Sequence, residues 1–382
     1  VTSPGAGSAE PEIDPTVRIL GADGTIAPSA SADRYLPLID ALSDADLEQF
    51  YRDMTVIRAF DRQATLLQRQ GQLALWPPSQ GQEAAQVGSA RAARAQDHIF
   101  PSYREHVVCT IRGVDPVDII KLMRGVSHGG WDPTAPKNGN THIYTLVLGS
   151  QTLHATGYAM GIEFDGRSGS GDPEKDEAVI VYYGDGASSQ GDVHEAMVFA
   201  VSYQTPQVFF LQNNHWAISV PVATQSRVPL ANRAGGYGMP SVRVDGNDVL
   251  ASYAVSKVAL DEARAGGGPQ AIEAVTYRMG AHTTSDDPTK YRTSDEEQSW
   301  IARDPITRMR AFLEARGASE AFFADVDAEA AALAADARTR TLQLEAPTRD
   351  SIFTHVYSEP HPLMDEQRKW LADYEASFEE GA

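Results

Sequence analysis

The chain has 382 residues, enough to bury a large core in one big domain or two smaller ones. Its formal charge is −20, from 52 acidic against 32 basic residues, which disfavours nonspecific nucleic-acid binding. Cys109 is the single cysteine, which excludes a disulfide framework or a cysteine metal cluster within the chain. No apolar run reaches the roughly 18 residues of a membrane span, and the acidic opening VTSPGAGSAEPEIDP lacks the basic and apolar segments of a signal peptide, so a cytoplasmic location is expected.

Residues 1–33 are rich in Ala, Ser, Gly and Pro and read as a tail, with a short strand at 16–20 before the turn Ala22-Asp23-Gly24. Ser43 with Asp46 predicts a capped helix start, and Leu47, Phe50, Met54, Ile57 and Phe60 then recur at helical spacing up to a stop at Gly71. Helices are predicted over 82–95 and 116–125, the second with Pro116 in its first turn. Residues 125–141 read as a long loop of the kind that often carries function. A small-residue helix is expected from 149–162, and 166–176 reads as an exposed polar insertion. A strand at 178–183, a helix near 193–203 and a strand at 208–211 follow. Residues 221–239 lack periodicity and read as loop. Then come a helix over 249–265, a strand over 270–277, a loop to 291, helices over 304–316 and 326–342, an apolar stretch at 352–357 and a last helix near 362–377. Strands alternating with helices predict an α/β fold, a doubly wound parallel sheet with helices on both faces. The expected division is a tail and extension at 1–45, a central cofactor-binding domain at 46–345 and a C-terminal extension at 346–382.

Three groups carry chemistry. The strand at 178–183 ends in Gly184-Asp185-Gly186, and the strand at 208–211 ends near Asn213-Asn214, with residues 187–212 between the two. Asp185 and Asn214 offer hard oxygens at the carboxyl ends of neighbouring parallel strands, and the backbone carbonyl of Trp216 offers a third. Such a set suits Mg²⁺ bridging to a diphosphate. Asn213 reads equally as a turn residue satisfying backbone groups. The second group is Tyr103-Arg104 in PSYREH, where Arg can pair bidentately with phosphate, although an isolated pair of this kind is often surface decoration. The third is the loop YRMGAHTTSDDPTKYR, whose His282 can bond a phosphate or donate a proton near pH 7. Arg278, Asp286, Asp287 and Arg292 would hold this loop by ion pairs. His142 either lines the cofactor channel or is a packed core histidine. Ser150–Thr152 precedes a helix and could supply backbone contacts to a ring, and His194 and Glu195 read as exposed.

With these groups in order, GDGASSQGDVHEAMVFA, FFLQNNHWAIS, SYREH, GNTHIY and YRMGAHTTSDDPTKYR resemble the α subunit of thiamine-dependent 2-oxo acid dehydrogenases, the E1 component. The TSDD core and the following YRTSDEE look most like the branched-chain subset, as does the extension VRILGADG; the resemblance covers about residues 16–375. It implies the thiamine-diphosphate-binding fold. Asp185, Asn214 and the Trp216 carbonyl would hold Mg²⁺. Tyr103, Arg104 and His282 would meet the diphosphate, with His282 assisting proton transfer. Gly184, Gly186 and Ala187 would approach it through the backbone, Gln212 would stand beside it, and Ser150 and Thr152 would lie by the aminopyrimidine. The resemblance also implies an α₂β₂ heterotetramer in which the E1 β subunit brings the activating glutamate. A lipoyl-bearing E2 would accept the acyl group left when a branched-chain 2-oxo acid loses CO₂. A pyruvate or acetoin E1 α subunit shares these motifs. A transketolase-type transferase would need a longer chain, and a noncatalytic partner would not need Asp185, Asn214 and Arg104. Gln212 stands where some branched-chain members carry Arg, Thr152 replaces a bulkier aliphatic residue, and the potassium-binding pattern of the animal enzymes is not kept.

Overall fold

The computed structural model describes residues 16–379 apart from residue 128. The predicted tail at 1–15 and the last residues, 380–382, lie outside the described residues. Six parallel strands build the sheet: β1 (Thr16–Val17), β2 (His98–Phe100), β3 (Val179–Gly184), β4 (Gln207–Asn213), β5 (Ser241–Asp245) and β6 (Gln270–Val275), in the order β1-β5-β6-β4-β3-β2. Successive side chains of a strand point to opposite faces. Val179, Val181 and Tyr183 therefore join Phe209 and Leu211 in one core layer, while Ile180 and Tyr182 join Val208 and Phe210 in the other. A parallel sheet covered on both sides needs such unbroken apolar runs.

One face is covered by α1 (Asp44–Arg69) and α2 (Glu83–Ala92), the other by α3 (Ser150–Phe164) and α4 (Gly191–Tyr203). The helix α5 (Val249–Glu262) returns to the first face and packs along α2, and α6 (Glu320–Leu342) lies over α1. The α2–α5 approach is close because Gly88 has no side chain: a Cβ there would sit 2.6 Å from the Tyr253 amide nitrogen and 2.7 Å from the Ser252 Cβ. The helix α1 starts where expected. Ser43 Oγ accepts from the Asp46 amide at 3.2 Å and Asp46 Oδ2 accepts from the Ser43 amide at 3.0 Å, a capping box worth about 1 kcal/mol. Gly71 follows the helix end with a φ of 74°. At the start of α5, Asp248 Oδ1 caps the Leu250 and Ala251 amides. Its Oδ2 accepts from the Ile19 and Leu20 amides, both at 2.7 Å, which ties the segment after β1 to the sheet. The last helix, α7 (Pro362–Glu379), stacks Trp370 on Tyr374 and leaves both exposed. Among the described residues no helix is long and apolar enough to cross a membrane.

Several elements differ from the sequence expectations. Strand β5 was not anticipated: in SVRVD only Val244 is fully buried, and a five-residue segment gives little alternation to detect. Residues 221–239 are not featureless but hold short helices at Val222–Gln225 and Ala231–Gly236, each too short to show a period. Helices at Leu36–Asp40, His106–Ile111 and Ser294–Ile301 were missed for the same reason. The long helix expected from 326 starts at Glu320, capped by Ser319 Oγ accepting from the Phe322 amide. The stretch 352–357 joins a 3-10 turn, Arg349–Phe353, rather than a regular element.

His106 is a core residue. It is fully buried and stacks on Trp76 at 4.3 Å; Nε2 donates to the Pro77 carbonyl at 2.9 Å, so Nδ1 accepts from the Tyr144 hydroxyl at 2.8 Å. Both ring nitrogens are satisfied in the neutral form, and burial holds its pKa down at about 3. The unfolded chain takes up this proton near pH 6.5, the folded chain only near 3. The stability contributed here is full above pH 6.5 and is lost as pH falls toward 3. Urea unfolding between pH 6 and 4 is expected to show stability falling with pH. His106→Gln should flatten that slope by roughly 1.4 kcal/mol per pH unit; an unchanged slope would show that His106 does not titrate on unfolding.

Candidate active site

The carboxyl ends of β2, β3, β4 and β6 meet at one cavity of about 180 Å³. Register does the assembling: Gly184 pairs with Gln212 and Asn213 with Val275, so the residues just beyond each strand emerge side by side. Asp185, Gly186 and Ala187 line the cavity from the turn after β3, and Gln212, Asn214 and Trp216 from the end of β4. Tyr103 and Arg104 enter from the loop after β2, Gly184 from the end of β3 and His282 from the loop after β6. Gly186 is held small by packing, since a Cβ there would meet the Ala217 Cβ at 2.8 Å. Ser150 and Thr152 do not line the cavity. Ser150 Oγ donates to the Val147 carbonyl and the buried Thr152 Oγ1 to the Gly149 carbonyl, so both hydroxyls serve the start of α3.

Asp185 is 1% exposed, and its carboxylate receives one side-chain hydrogen bond, from Gln225 Nε2 at 3.1 Å. Burial raises its pKa, and no described ion pair compensates it. Asn214 Oδ1 accepts from the Trp216 amide at 3.3 Å. Trp216 lies in a tight two-stranded turn, Trp216–Ala217 against Val220–Pro221, flanked by His215 and Ile218 in left-handed conformations at φ 72° and 56°. Such residues store strain of order 1 kcal/mol each, a cost that clusters at functional sites. The Trp216 carbonyl accepts from Arg278 Nη1 at 2.9 Å, which leaves its second lone pair. Asn213 faces away: its Nδ2 donates to Glu273 and its Oδ1 accepts from the His215 amide, the turn role that was one of its two readings.

The opposite wall is cationic. Arg104, 5% exposed, donates to the Pro78 carbonyl at 2.6 Å and the His282 carbonyl at 2.9 Å. Arg278, wholly buried, donates to the Trp216 and Ile218 carbonyls and the Tyr291 hydroxyl. Neither guanidinium is among the described ion pairs. Burial lowers the Arg278 pKa and the nearby Arg104 charge lowers it further. Two like charges without carboxylate partners create a site for an anion.

His282 sits between them, with Nδ1 3.4 Å from both Arg104 Nη2 and Arg278 Nη1. Two donors facing Nδ1 make it an acceptor, which leaves the proton on Nε2. Burial, then Arg104 and Arg278, pull the His282 pKa down to about 3. Of the two readings of His282, a neutral imidazole favours a hydrogen bond to phosphate through Nε2–H over proton donation from the free chain near pH 7. The loop is held by ion pairs only in part: Arg292 pairs with Glu297 at 3.2 Å and Asp287 with Lys290 at 4.0 Å, whereas Asp286 accepts from the His282 amide and the Tyr291 hydroxyl, and Arg292 also donates to the Arg278 and Met279 carbonyls. His142 is a packed histidine, stacked on Phe100 at 3.8 Å and outside the cavity lining. His194 is part-buried and bonds the Tyr237 hydroxyl.

Sequence reasoning missed Gln82 and Glu105, both buried and both in the cavity wall. Burial raises the Glu105 pKa; its Oε1 accepts from Gln212 Nε2 at 2.6 Å and its Oε2 has no partner. The only signal for Glu105 was its place in SYREH, and Gln82 had none beyond standing at the start of a predicted helix. A buried carboxylate with no cation costs stability. Asp185→Asn, which keeps the shape, is expected to leave the cofactor-free chain melting at or above the wild-type temperature and to abolish any rise in melting temperature on adding Mg²⁺. A variant melting well below wild type would show instead that the carboxylate is structural.

A family model described as the dehydrogenase E1 component matches residues 51–346. The chain is 43% identical over 361 residues, 93% of each sequence, to the 3-methyl-2-oxobutanoate dehydrogenase subunit alpha of Mycobacterium tuberculosis (strain ATCC 25618 / H37Rv). It is 39% identical over 282 residues, 73% of each sequence, to the pyruvate dehydrogenase E1 component subunit alpha of Staphylococcus aureus (strain Mu50 / ATCC 700699). The corresponding Staphylococcus epidermidis protein is 37% identical over 303 residues, 79% of this chain and 77% of its own. A match over most of the chain, carried on a parallel sheet whose carboxyl edge holds these side chains, establishes that the protein belongs to the dehydrogenase E1 component family.

Proposed function

We propose that this chain is the α subunit of a branched-chain 2-oxo acid dehydrogenase E1, working with thiamine diphosphate and Mg²⁺. The observation that carries the substrate class is the 43% identity sustained over 93% of both sequences with a 3-methyl-2-oxobutanoate dehydrogenase α subunit; the pyruvate dehydrogenase relatives align over shorter stretches. The donor set fits the cofactor. A buried uncompensated carboxylate, an amide oxygen and a carbonyl with a lone pair to spare suit a hard cation, and two unpaired guanidiniums suit the diphosphate.

Bound thiamine diphosphate supplies the nucleophile and the electron sink for loss of CO₂ from a 2-oxo acid. The rest falls to this chain's residues. Asp185, Asn214 and the Trp216 carbonyl would hold Mg²⁺. Arg104, Tyr103 and His282 Nε2–H would donate to the diphosphate, and the turn at Gly184, Gly186 and Ala187 would let it approach the backbone. Gln212 would stand beside them, linked to Glu105. An anion bound in this cavity would lie against the guanidiniums that depress the His282 pKa, so binding would raise that pKa and increase the fraction of imidazolium available to give up a proton. Asp185 and Glu105 are the carboxyls in this chain's cavity wall; Asp185 is given to the cation in this reading, and Glu105 accepts from Gln212. The glutamate that activates the cofactor is assigned to an E1 β subunit in an α₂β₂ assembly, and the acyl group to a lipoyl-bearing E2. The assembly is placed in the cytoplasm.

Co-expressed with its β subunit, the chain is expected to decarboxylate 3-methyl-2-oxobutanoate and 4-methyl-2-oxopentanoate with kcat/KM at least tenfold above that for pyruvate. Preference for pyruvate would move it to the pyruvate-type E1, the second reading, which Gln212 in place of Arg and the staphylococcal relatives favour. The chain alone is expected to be inactive; full activity without β would overturn the shared site. Titration of the His282 imidazole by NMR should show no protonation between pH 5 and 8 in the cofactor-free assembly and an upward pKa shift once thiamine diphosphate and Mg²⁺ are added. A pKa near 6.5 in the free assembly would contradict the cationic surroundings.

A further inference from the structure

Gln82 immediately precedes α2, is 1% exposed and shares the cavity wall with Asp185 and Asn214. The direction of its side-chain amide follows from its neighbours. Asn214 accepts from the Trp216 amide at 3.3 Å, and a backbone N–H only donates, so that end of the Asn214 amide is Oδ1 and the other end is the NH₂. Asn214 Nδ2 donates to Gln82 at 3.2 Å, so the Gln82 atom there is Oε1. The remaining end of Gln82 is an NH₂ group, buried and without a partner. The NH₂ groups of the neighbouring amides are not left this way, although Gln86 Oε1 has no partner. Gln86 Nε2 donates to the Arg104 carbonyl and to Gln212 Oε1, and Gln212 Nε2 donates to Glu105. A donor closed off from bulk water and unpaired among protein groups is costly unless something in the cavity accepts from it.

We propose that Gln82 is a positioning and anion-binding residue of this site: its Oε1 turns the Asn214 amide so that Oδ1 is presented to the cation, and its Nε2–H donates to a diphosphate oxygen. The inference rests on the thiamine diphosphate and Mg²⁺ reading and adds a residue to it. Nothing in the GQEA motif marks Gln82 as different from Gln86; the difference lies in what each amide meets.

The test compares wild type with Gln82→Met, which keeps length and bulk but neither accepts nor donates, each assembled with the β subunit. Three quantities are read: the melting temperature without cofactor, the Kd for thiamine diphosphate at saturating Mg²⁺ from quenching of tryptophan fluorescence, and the Kd for thiamine, which has no diphosphate. Q82M is expected to melt within a few degrees of wild type and to bind thiamine equally. It should bind thiamine diphosphate about tenfold or more weakly, as loss of one hydrogen bond to a charged acceptor predicts, and need more Mg²⁺ for half-saturation. An unchanged Kd for thiamine diphosphate would overturn the inference alone, with Nε2 then served by a buried water. Equal weakening toward thiamine and its diphosphate, or a large loss of melting temperature without cofactor, would overturn it in favour of a structural role. A wild-type assembly that shows no Mg²⁺-dependent binding of thiamine diphosphate would overturn the proposed function, and this inference with it.

Discussion

The parallel register of β3, β4 and β6 is the constraint on which the site depends. Gly184 beside Gln212, and Asn213 beside Val275, bring three strand ends to one level, so the turn at Asp185, the turn at Asn214 and the strand exit toward Arg278 leave the sheet as neighbours. A slip of one residue in β4 would turn Phe209 and Leu211 into the layer now occupied by Val208 and Phe210, and would carry Asn214 out of line with Asp185. The apolar core on both faces thus fixes the polar edge. The glycines act in the same direction: Gly88 lets α2 and α5 close on each other, and Gly186 lets the turn after β3 lie against Ala217.

The polar edge is held in a state that the fold alone does not favour. On one side a carboxylate is buried with a single side-chain donor and no described cation; on the other, two guanidiniums are spent on uncharged oxygens and repel one another. Each arrangement is unfavourable by itself, and together they would be relieved by a cation against Asp185 and an anion against Arg104. The left-handed residues on either side of Trp216 add backbone strain at the same place. Local rules are broken here and kept elsewhere, which is how functional sites separate from the scaffold that carries them.

His282 and His106 show how surroundings decide the work of one side chain. Both have lowered pKa values, at about 3, and burial is the largest cause in each. His106 has a carbonyl, a hydroxyl and an indole on its sides and is finished as a core residue. His282 has two cations at Nδ1 and a free donor at Nε2, so its properties change with what enters the cavity. Neighbours in the sequence do not separate these cases, since SYREH and MGAHTT each place a histidine a few residues beyond a strand end.

Much of the molecule was legible in the order of residues. The apolar runs at 178–183 and 208–211, the Ser43–Asp46 cap and Pro116 at its helix start are local signals, and each corresponds to the element it predicted because patterning and capping act over a few residues; the two polar strand ends likewise lie where their strands stop. The alternation of strands and helices was enough for the sheet and its two helical layers. Tertiary structure alone decided the rest. It added β5, whose five residues are stabilised by pairing with β1 and β6 rather than by their own pattern. It left Ser150 and Thr152 outside the cavity lining, with their hydroxyls bonded at the start of α3, turned Asn213 away, and brought Gln82 and Glu105 in. Burial, charge and hydrogen-bond direction depend on groups far apart in the chain, such as Gln82 with Asn214 or Arg104 with His282, and only the packed chain brings those groups together.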